Sequence, residues 1–156
     1  MGYKIRNACE ADALLLRQLA QSCKPLDVHT PYTYWVITKF FSESSFVLEC
    51  DGRAIGFITA LHNHDSFFVW QIGILQEYHK QKLSYLLIDR VVSTAKEKGF
   101  SSFMLSIDAS NEKSNRAFTR YSANNGYTIT EKGVVNLKDE FDLSINEKET
   151  IFEISF

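Results

Sequence analysis

Phe67-Phe68-Val69-Trp70-Gln71-Ile72-Gly73-Ile74-Leu75, then Gln76-Glu77-Tyr78-His79-Lys80-Gln81-Lys82, then Leu83 to Lys98 is the stretch whose reading decides the fold. The first segment is an apolar run of strand length, and the second is polar and turn-like. In the third, Leu83, Leu86, Leu87, Val91 and Ala95 share one helical face, and Gly99 follows as a C-terminal stop. The spacing predicts a strand over 67–75, a loop, and a helix over 82–98. A helix that starts just after a strand offers unpaired backbone N–H groups and the positive end of its dipole, which suits a pyrophosphate. Lys80 and Lys82 add positive charge there.

Working outward, Tyr3 to Arg6 alternates as a short strand, and Cys9 to Cys23 carries Leu15, Leu16, Leu19 and Ala20 at helical spacing. An aromatic helix is predicted from Tyr32 to Phe41. Phe46–Cys50 and Ala54–His62 flank Asp51-Gly52, a pair suited to the positive φ angles of a tight hairpin. After the central helix, Phe103, Leu105 and Ile107 alternate as a strand, and Asn111 to Asn125 reads as a helix stopped by Gly126. Thr150 to Phe156 reads as a closing strand, with one more near Tyr127–Thr130. Hairpins come first and βαβ units later, so the expected class is α/β (α+β mixed): a central mixed, mostly antiparallel sheet with helices on both faces.

The chain has 156 residues, 13% of them aromatic, and a formal net charge of −2. Its length predicts one domain over 1–156. The near-neutral balance counts against a nucleic-acid partner, and no apolar run approaches the ~20 residues of a membrane span. Cys9, Cys23 and Cys50 form no CxxC pair and read as reduced thiols in the core of a cytoplasmic protein. His62-Asn63-His64-Asp65 falls at a hairpin tip without a fourth fixed ligand, so it is read as solvated and no metal is expected. Charge is uneven: residues 76–98 hold five Lys/Arg against three Asp/Glu, and residues 131–156 hold three against seven. A solvated surface accounts for both segments, while an anion site and a cation-attracting edge are the sharper reading.

The strand–loop–helix resembles the GNAT family of acyl-CoA-dependent N-acetyltransferases, with His79-Lys80-Gln81-Lys82-Leu83-Ser84 at the position of the family's Arg/Gln-x-x-Gly-x-Gly/Ala loop. His79 stands where Arg or Gln is usual, and Lys82 where Gly is usual. The segment Asn111 to Phe118 resembles the family's Asn-bearing helix near the pantetheine arm. The resemblance implies acetyl-CoA as co-substrate, bound by Ile72, Gly73, Ile74, the loop from His79 to Ser84, Asn111 and Phe118. The N–H groups around Ile72–Ile74 are expected to polarise the thioester carbonyl. Phe118 takes the place of a tyrosine that often protonates the departing thiolate, and Tyr121, one turn on, is the candidate substitute, with a core role as its plainer reading.

Pro25-Leu26-Asp27-Val28-His29-Thr30-Pro31-Tyr32 and Phe68 to Gly73 resemble the diaminobutyrate acetyltransferases of that family, as does the tail through Glu149. This implies an amine pocket lined by Asp27, Tyr32, Trp70, Gln71 and Glu149, with Asp27 and Glu149 also candidate catalytic carboxylates. A nitrogen must lose its proton before attacking a thioester, so a carboxylate that attracts the ammonium and a base that takes the proton are both needed. Read without the resemblance, Asp27 is a turn or capping residue, Trp70 a core aromatic and Glu149 a tail charge. The resemblance implies acetylation of a primary amine of a small diamino acid, L-2,4-diaminobutyrate, by direct attack in a ternary complex; the alternatives are another amine (a polyamine, an amino acid or a protein N-terminus) or a catalytically impaired acyl-CoA-binding module. An exposed edge strand or the C-terminal strand would allow a homodimer.

Overall fold

In the computed structural model, which describes residues 2–156, the elements are β1 (Tyr3–Asn7), α1 (Ala13–Ser22), α2 (Pro31–Phe40), β2 (Phe46–Cys50), β3 (Arg53–His62), β4 (Phe67–Ile74), α3 (Leu83–Glu97), β5 (Ser102–Asp108), α4 (Glu112–Asn125), β6 (Thr128–Lys138) and β7 (Asn146–Ser155). The seven strands form one sheet in the order β1-β2-β3-β4-β5-β7-β6. Among the described residues only the β4–β5 pair is parallel, so the sheet is mixed and mostly antiparallel.

Local chemistry sets the element ends. Asp51 and Gly52 both have positive φ, 49° and 83°, and close a two-residue hairpin between β2 and β3. Thr30 caps α2 by accepting the Thr33 N–H, with Pro31 in the first turn, where its missing N–H costs nothing. Asn111 caps α4 through the Ser114 N–H, and Gly126 ends it at φ 69°. In β3, Ile55 to Ala60 are buried without a break, as expected for a strand covered on both faces. The aromatic load settles mostly in the core, where Phe46, Phe57, Phe67, Phe103, Phe118, Tyr34 and Tyr121 are buried.

Three departures from the sequence reading have physical causes. The expected helix over 9–23 begins as a 3-10 turn, Glu10–Asp12, and becomes α1 only at Ala13. There the Asp12 carboxylate accepts the Cys9 N–H at 2.8 Å and pairs with Arg6, which also holds Glu49, tying β1, β2 and the turn together. The Arg6 guanidinium holds the Asp12 carboxyl below its usual range. Cys9 is exposed at this turn, whereas Cys23 and Cys50 are buried. The tail hairpin is much longer than its apolar pattern suggests. All but one residue of β6 is exposed, so backbone pairing to β7 builds it without the alternation that reveals a strand.

The feature that positions the site is a split in the sheet. β4 and β5 pair only at Phe68–Met104 and Val69–Leu105. Beyond those pairs β5 continues against β7 as far as Asp108, and β4 continues against β3. At the point of divergence β4 bulges: Thr59 pairs Gln71 and Ala60 pairs Val69, leaving Trp70 as the extra residue. A bulge re-aims its side chain and bends the strand, and it starts the wedge.

Candidate active site

The wedge holds two cavities that share Pro25, Leu26, Ile72, Asn111 and Ser114. The first, about 370 Å³, lies between β4, the 3-10 turn Gln76–Gln81 and the faces of α3 and α4. The second, about 280 Å³, lies between β4 and β5 and is closed by the 25–29 loop and β7.

In the first cavity the β4 backbone is available. The Leu75 N–H donates to Ile55 of β3, while the Ile74 carbonyl turns the other way and accepts from His79 Nε2 at 2.6 Å. Strand alternation then aims the N–H groups of Ile72 and Ile74 into the wedge, where β5 no longer pairs them. Because a carbonyl can only accept, His79 Nε2 carries its proton, and the ring braces this strand end. Gly73 lets Cys23 and Phe57 pack directly on this strand: a Cβ there would meet both at 3.0 Å.

Lys82 takes the left-handed conformation, φ 54° and ψ 28°, at the N-terminal cap of α3. This is the position where the family usually has Gly, and a side chain there costs roughly 1–2 kcal/mol. Lys82→Gly is expected to raise unfolding stability by about 0.5–1 kcal/mol, since glycine's extra unfolded-state entropy offsets part of the relief. The same change should weaken acetyl-CoA binding through loss of the ammonium. A denaturant melt and a titration of the variant check both directions.

Lys24, Lys82, Lys113, Arg116 and Arg120 all line the first cavity, and among the described residues no Asp or Glu does. None of the five pairs with a carboxylate among the described residues. Unneutralised cations, free strand N–H groups and a helix N-terminus fit a long phosphate-bearing molecule that ends at the β4 backbone.

The second cavity has the opposite charge. Asp27, Asp108 and Glu149 line it, and among the described residues no Lys or Arg does. Asp108 and Glu149 are paired across β5 and β7. Burial pushes the Glu149 carboxyl up from its usual value, and the Asp108 and Asp27 carboxylates push the same way, against the Ser106 hydroxyl. Asp108 instead lies below the usual range, because the Ser110 hydroxyl and N–H donate to it. Two buried anchors hold the loop over this cavity. Tyr34 Oη donates to Gln71 Oε1 at 3.0 Å, and Gln71 Nε2 donates to the Asp27 carbonyl at 2.8 Å. Arg17 Nε donates to the His29 carbonyl at 3.0 Å, and the His29 ring packs on Trp70 at 4.8 Å between centroids.

Of the residues singled out from sequence, Ile72, Gly73, Ile74, His79, Lys82, Leu83, Ser84 and Asn111 line the first cavity. Asp27, Trp70, Gln71, Phe118 and Glu149 line the second, as Ile72 and Asn111 also do. Lys80 and Gln81 line neither; Gln81 accepts a hydrogen bond from the Tyr3 hydroxyl. Tyr32 lies outside both, 70% exposed and stacked on Trp35. Tyr121 is in the core, its hydroxyl donating to Asp89 at 2.6 Å. Sequence reasoning passed over Tyr34, Arg17, Asp108, Lys24, Lys113, Arg116 and Arg120. The helical stripe Tyr34–Ile37–Thr38 pointed to Tyr34, with Tyr32 about 200° round the helix from it. Nothing local marked Asp108, because its neighbour Glu149 arrives from another strand.

Residues 13–122 match the model of the acetyltransferase (GNAT) family. The L-2,4-diaminobutyric acid acetyltransferase of Streptomyces coelicolor is 28% identical over 149 residues, covering 92% of this chain and 87% of that protein. The enzyme of the same name from Wolinella succinogenes is 31% identical over 91 residues, 56% of this chain and 53% of its own. Among solved structures, diaminobutyrate acetyltransferase EctA from Paenibacillus lautus, in complex with L-2,4-diaminobutyric acid and coenzyme A, shares the fold with a TM-score of 0.86 at 21% identity, over 99% of this chain and 95% of that one. Ard1 from Thermoplasma volcanium shares it at 0.78 and 19%, over 100% and 99%. With the family matched across both cavity-forming helices, on a sheet that splits beside the expected loop, this chain belongs to the acetyltransferase (GNAT) family and is an N-acetyltransferase whose co-substrate is acetyl-CoA.

Proposed function

We propose that this enzyme acetylates a primary amine of a small diamino acid, L-2,4-diaminobutyrate, by direct attack with both substrates bound. The observation that carries the reading is the meeting of a cation-lined cavity and a carboxylate-lined one at a shared wall of Ile72, Asn111 and Ser114. The names of the relatives agree with that charge pattern. Acetyl-CoA, when bound, supplies the thioester carbonyl that the nitrogen attacks.

The chain's own groups divide the work. Ile72 and Ile74 direct N–H donors to the wedge, where negative charge develops during acyl transfer. Asp27 and Asp108 attract the cationic end of the substrate, and Trp70 with His29 walls its alkyl chain. Glu149, raised above the ordinary glutamate range by burial, joins the two aspartates in holding that ammonium when ionised and is the carboxylate best matched to take its proton, directly or through water. We assign Tyr121 no step, because Asp89 holds its hydroxyl away from both cavities. An acyl-enzyme route has no support: Cys23 lines the first cavity, but burial pushes its thiol up to about 11. Cys23→Ala is expected to retain turnover.

The test is thiol release from acetyl-CoA over a panel of amines. Turnover is expected with L-2,4-diaminobutyrate and not with neutral amino acids that lack a second amine. Absence of turnover with every diamine would remove the reading. One observation favours a second reading: with no Lys or Arg in the acceptor cavity, a diamine without a carboxylate meets less repulsion. Including such diamines in the panel separates the two.

The raised Glu149 also sets a pH dependence. A protonated Glu149 cannot hold an ammonium, so the KM for the amine should rise as pH falls through the elevated range of this carboxyl. In Glu149→Gln that limb of the KM profile should flatten.

A further inference from the structure

We propose that Lys113, Arg116 and Arg120, a stripe along α4, form the subsite for the 3′-phosphate of the coenzyme and make the enzyme select coenzyme A over its 3′-dephospho form. The proposal rests on acetyl-CoA as co-substrate and is independent of which amine is acetylated.

The first argument is charge. A bound coenzyme carries a pyrophosphate and a separate phosphomonoester on its ribose. The expected loop accounts for one of these: His79, Lys82, Leu83 and Ser84 line the first cavity at the start of α3, where the helix N-terminus favours a pyrophosphate. That leaves the cations of α4 that line the same cavity without an assigned anion.

The second argument is spacing. Positions 113, 116 and 120 recur at three and four residues, so they fall on one face of α4, and all three line the cavity with Ala117 between them. From 113 to 120 the stripe runs about 10 Å along the axis, longer than one pyrophosphate. No carboxylate pairs with any of the three among the described residues, and none lines the cavity. Arginine suits this task, since its planar fork meets a phosphate in two parallel hydrogen bonds. Two arginines one turn apart, beside a lysine, provide for the terminal dianion of a phosphomonoester, which has more free oxygens than a bridging diester phosphate. All eight residues from 113 to 120 lie within one helix, so their spacing is set by its hydrogen-bonded backbone.

The experiment is calorimetric titration of the full chain with acetyl-CoA and with acetyl-3′-dephospho-CoA, so binding is read without turnover. The wild type is expected to bind acetyl-CoA about 10-fold or more tightly than the dephospho ligand. In Arg116→Ala/Arg120→Ala that preference should collapse towards one, with the affinity for the dephospho ligand little changed. Lys82→Ala should weaken both ligands alike, because both carry the pyrophosphate. A double variant that keeps the wild-type preference would overturn the proposal, and so would one that loses affinity for both ligands in parallel. Both arginines are exposed and alanine favours helix, so folding should survive; Arg116→Gln/Arg120→Gln, with the same expected collapse, is the second variant should the first fail to fold.

Discussion

Glu149→Gln is expected to lower kcat/KM for the diamino substrate by about 10- to 100-fold, the worth of one hydrogen bond to a charged group, while raising thermal stability. The two effects have one origin. Glu149 is held against Asp108 and faces Asp27, and burial and both neighbours raise its carboxyl. An acid whose folded value lies above its unfolded one destabilises the folded state once ionised: stability is fullest below the ordinary glutamate value and falls as pH rises through the raised one. Glutamine fills the same space without the charge, so repulsion from Asp108 and Asp27 disappears. The melting temperature should therefore rise by about a few degrees at neutral pH, and the gain should vanish at acidic pH, where the wild-type carboxyl is protonated too. Steady-state kinetics and melts at two pH values check this. A variant with wild-type kcat/KM would strip Glu149 of its place in amine capture, and a lower melting temperature at neutral pH would contradict the repulsion.

That same residue shows what a sequence can and cannot disclose. The strand, loop and helix over 67–98 were legible because each announces itself locally, by an apolar run, a polar break and a helical stripe. The Asp51-Gly52 hairpin was legible because positive φ restricts residue choice. Glu149 could be named only through a family resemblance, since its carboxylate partners, Asp27 and Asp108, come from a loop and a strand distant in the chain. β6 was mostly illegible for a related reason: both of its faces are exposed, polar and apolar residues alike, so no alternation marks it and only pairing with β7 defines it. Tyr32 and Tyr34 mark the boundary between the two situations. Both are aromatic and two residues apart, yet helix rotation sends Tyr34 inward to Gln71 and leaves Tyr32 on Trp35.

Gly56→Ala carries the largest expected structural cost for one added methyl. Gly56 pairs with Ile74 across β3 and β4, and Phe57 with Gly73. A Cβ at 56 would stand 2.5 Å from Ile74 Cδ1 and 2.8 Å from the Gly73 carbonyl oxygen. The Ile74 methyl can turn away, but the carbonyl belongs to backbone held in the sheet, so β4 itself must shift. Overpacking of this kind costs about 1–3 kcal/mol, which lowers the melting temperature by about 2–4 °C per kcal/mol in a chain of this size. The shift falls on Gly73 and Ile74, whose backbone walls the first cavity, so acetyl-CoA affinity should fall with stability. Gly99→Ala is the contrast: Gly99 has φ 89° and nothing within 4 Å of a Cβ, so its substitution strains a helix end far from the wedge. It should cost stability while leaving acetyl-CoA binding unchanged once the protein is folded. Unaltered stability and affinity in Gly56→Ala would show that β4 yields freely at Gly73. The bulge at Trp70 and the unpaired N–H groups beyond it could then not be rigid enough to aim donors at a reacting carbonyl.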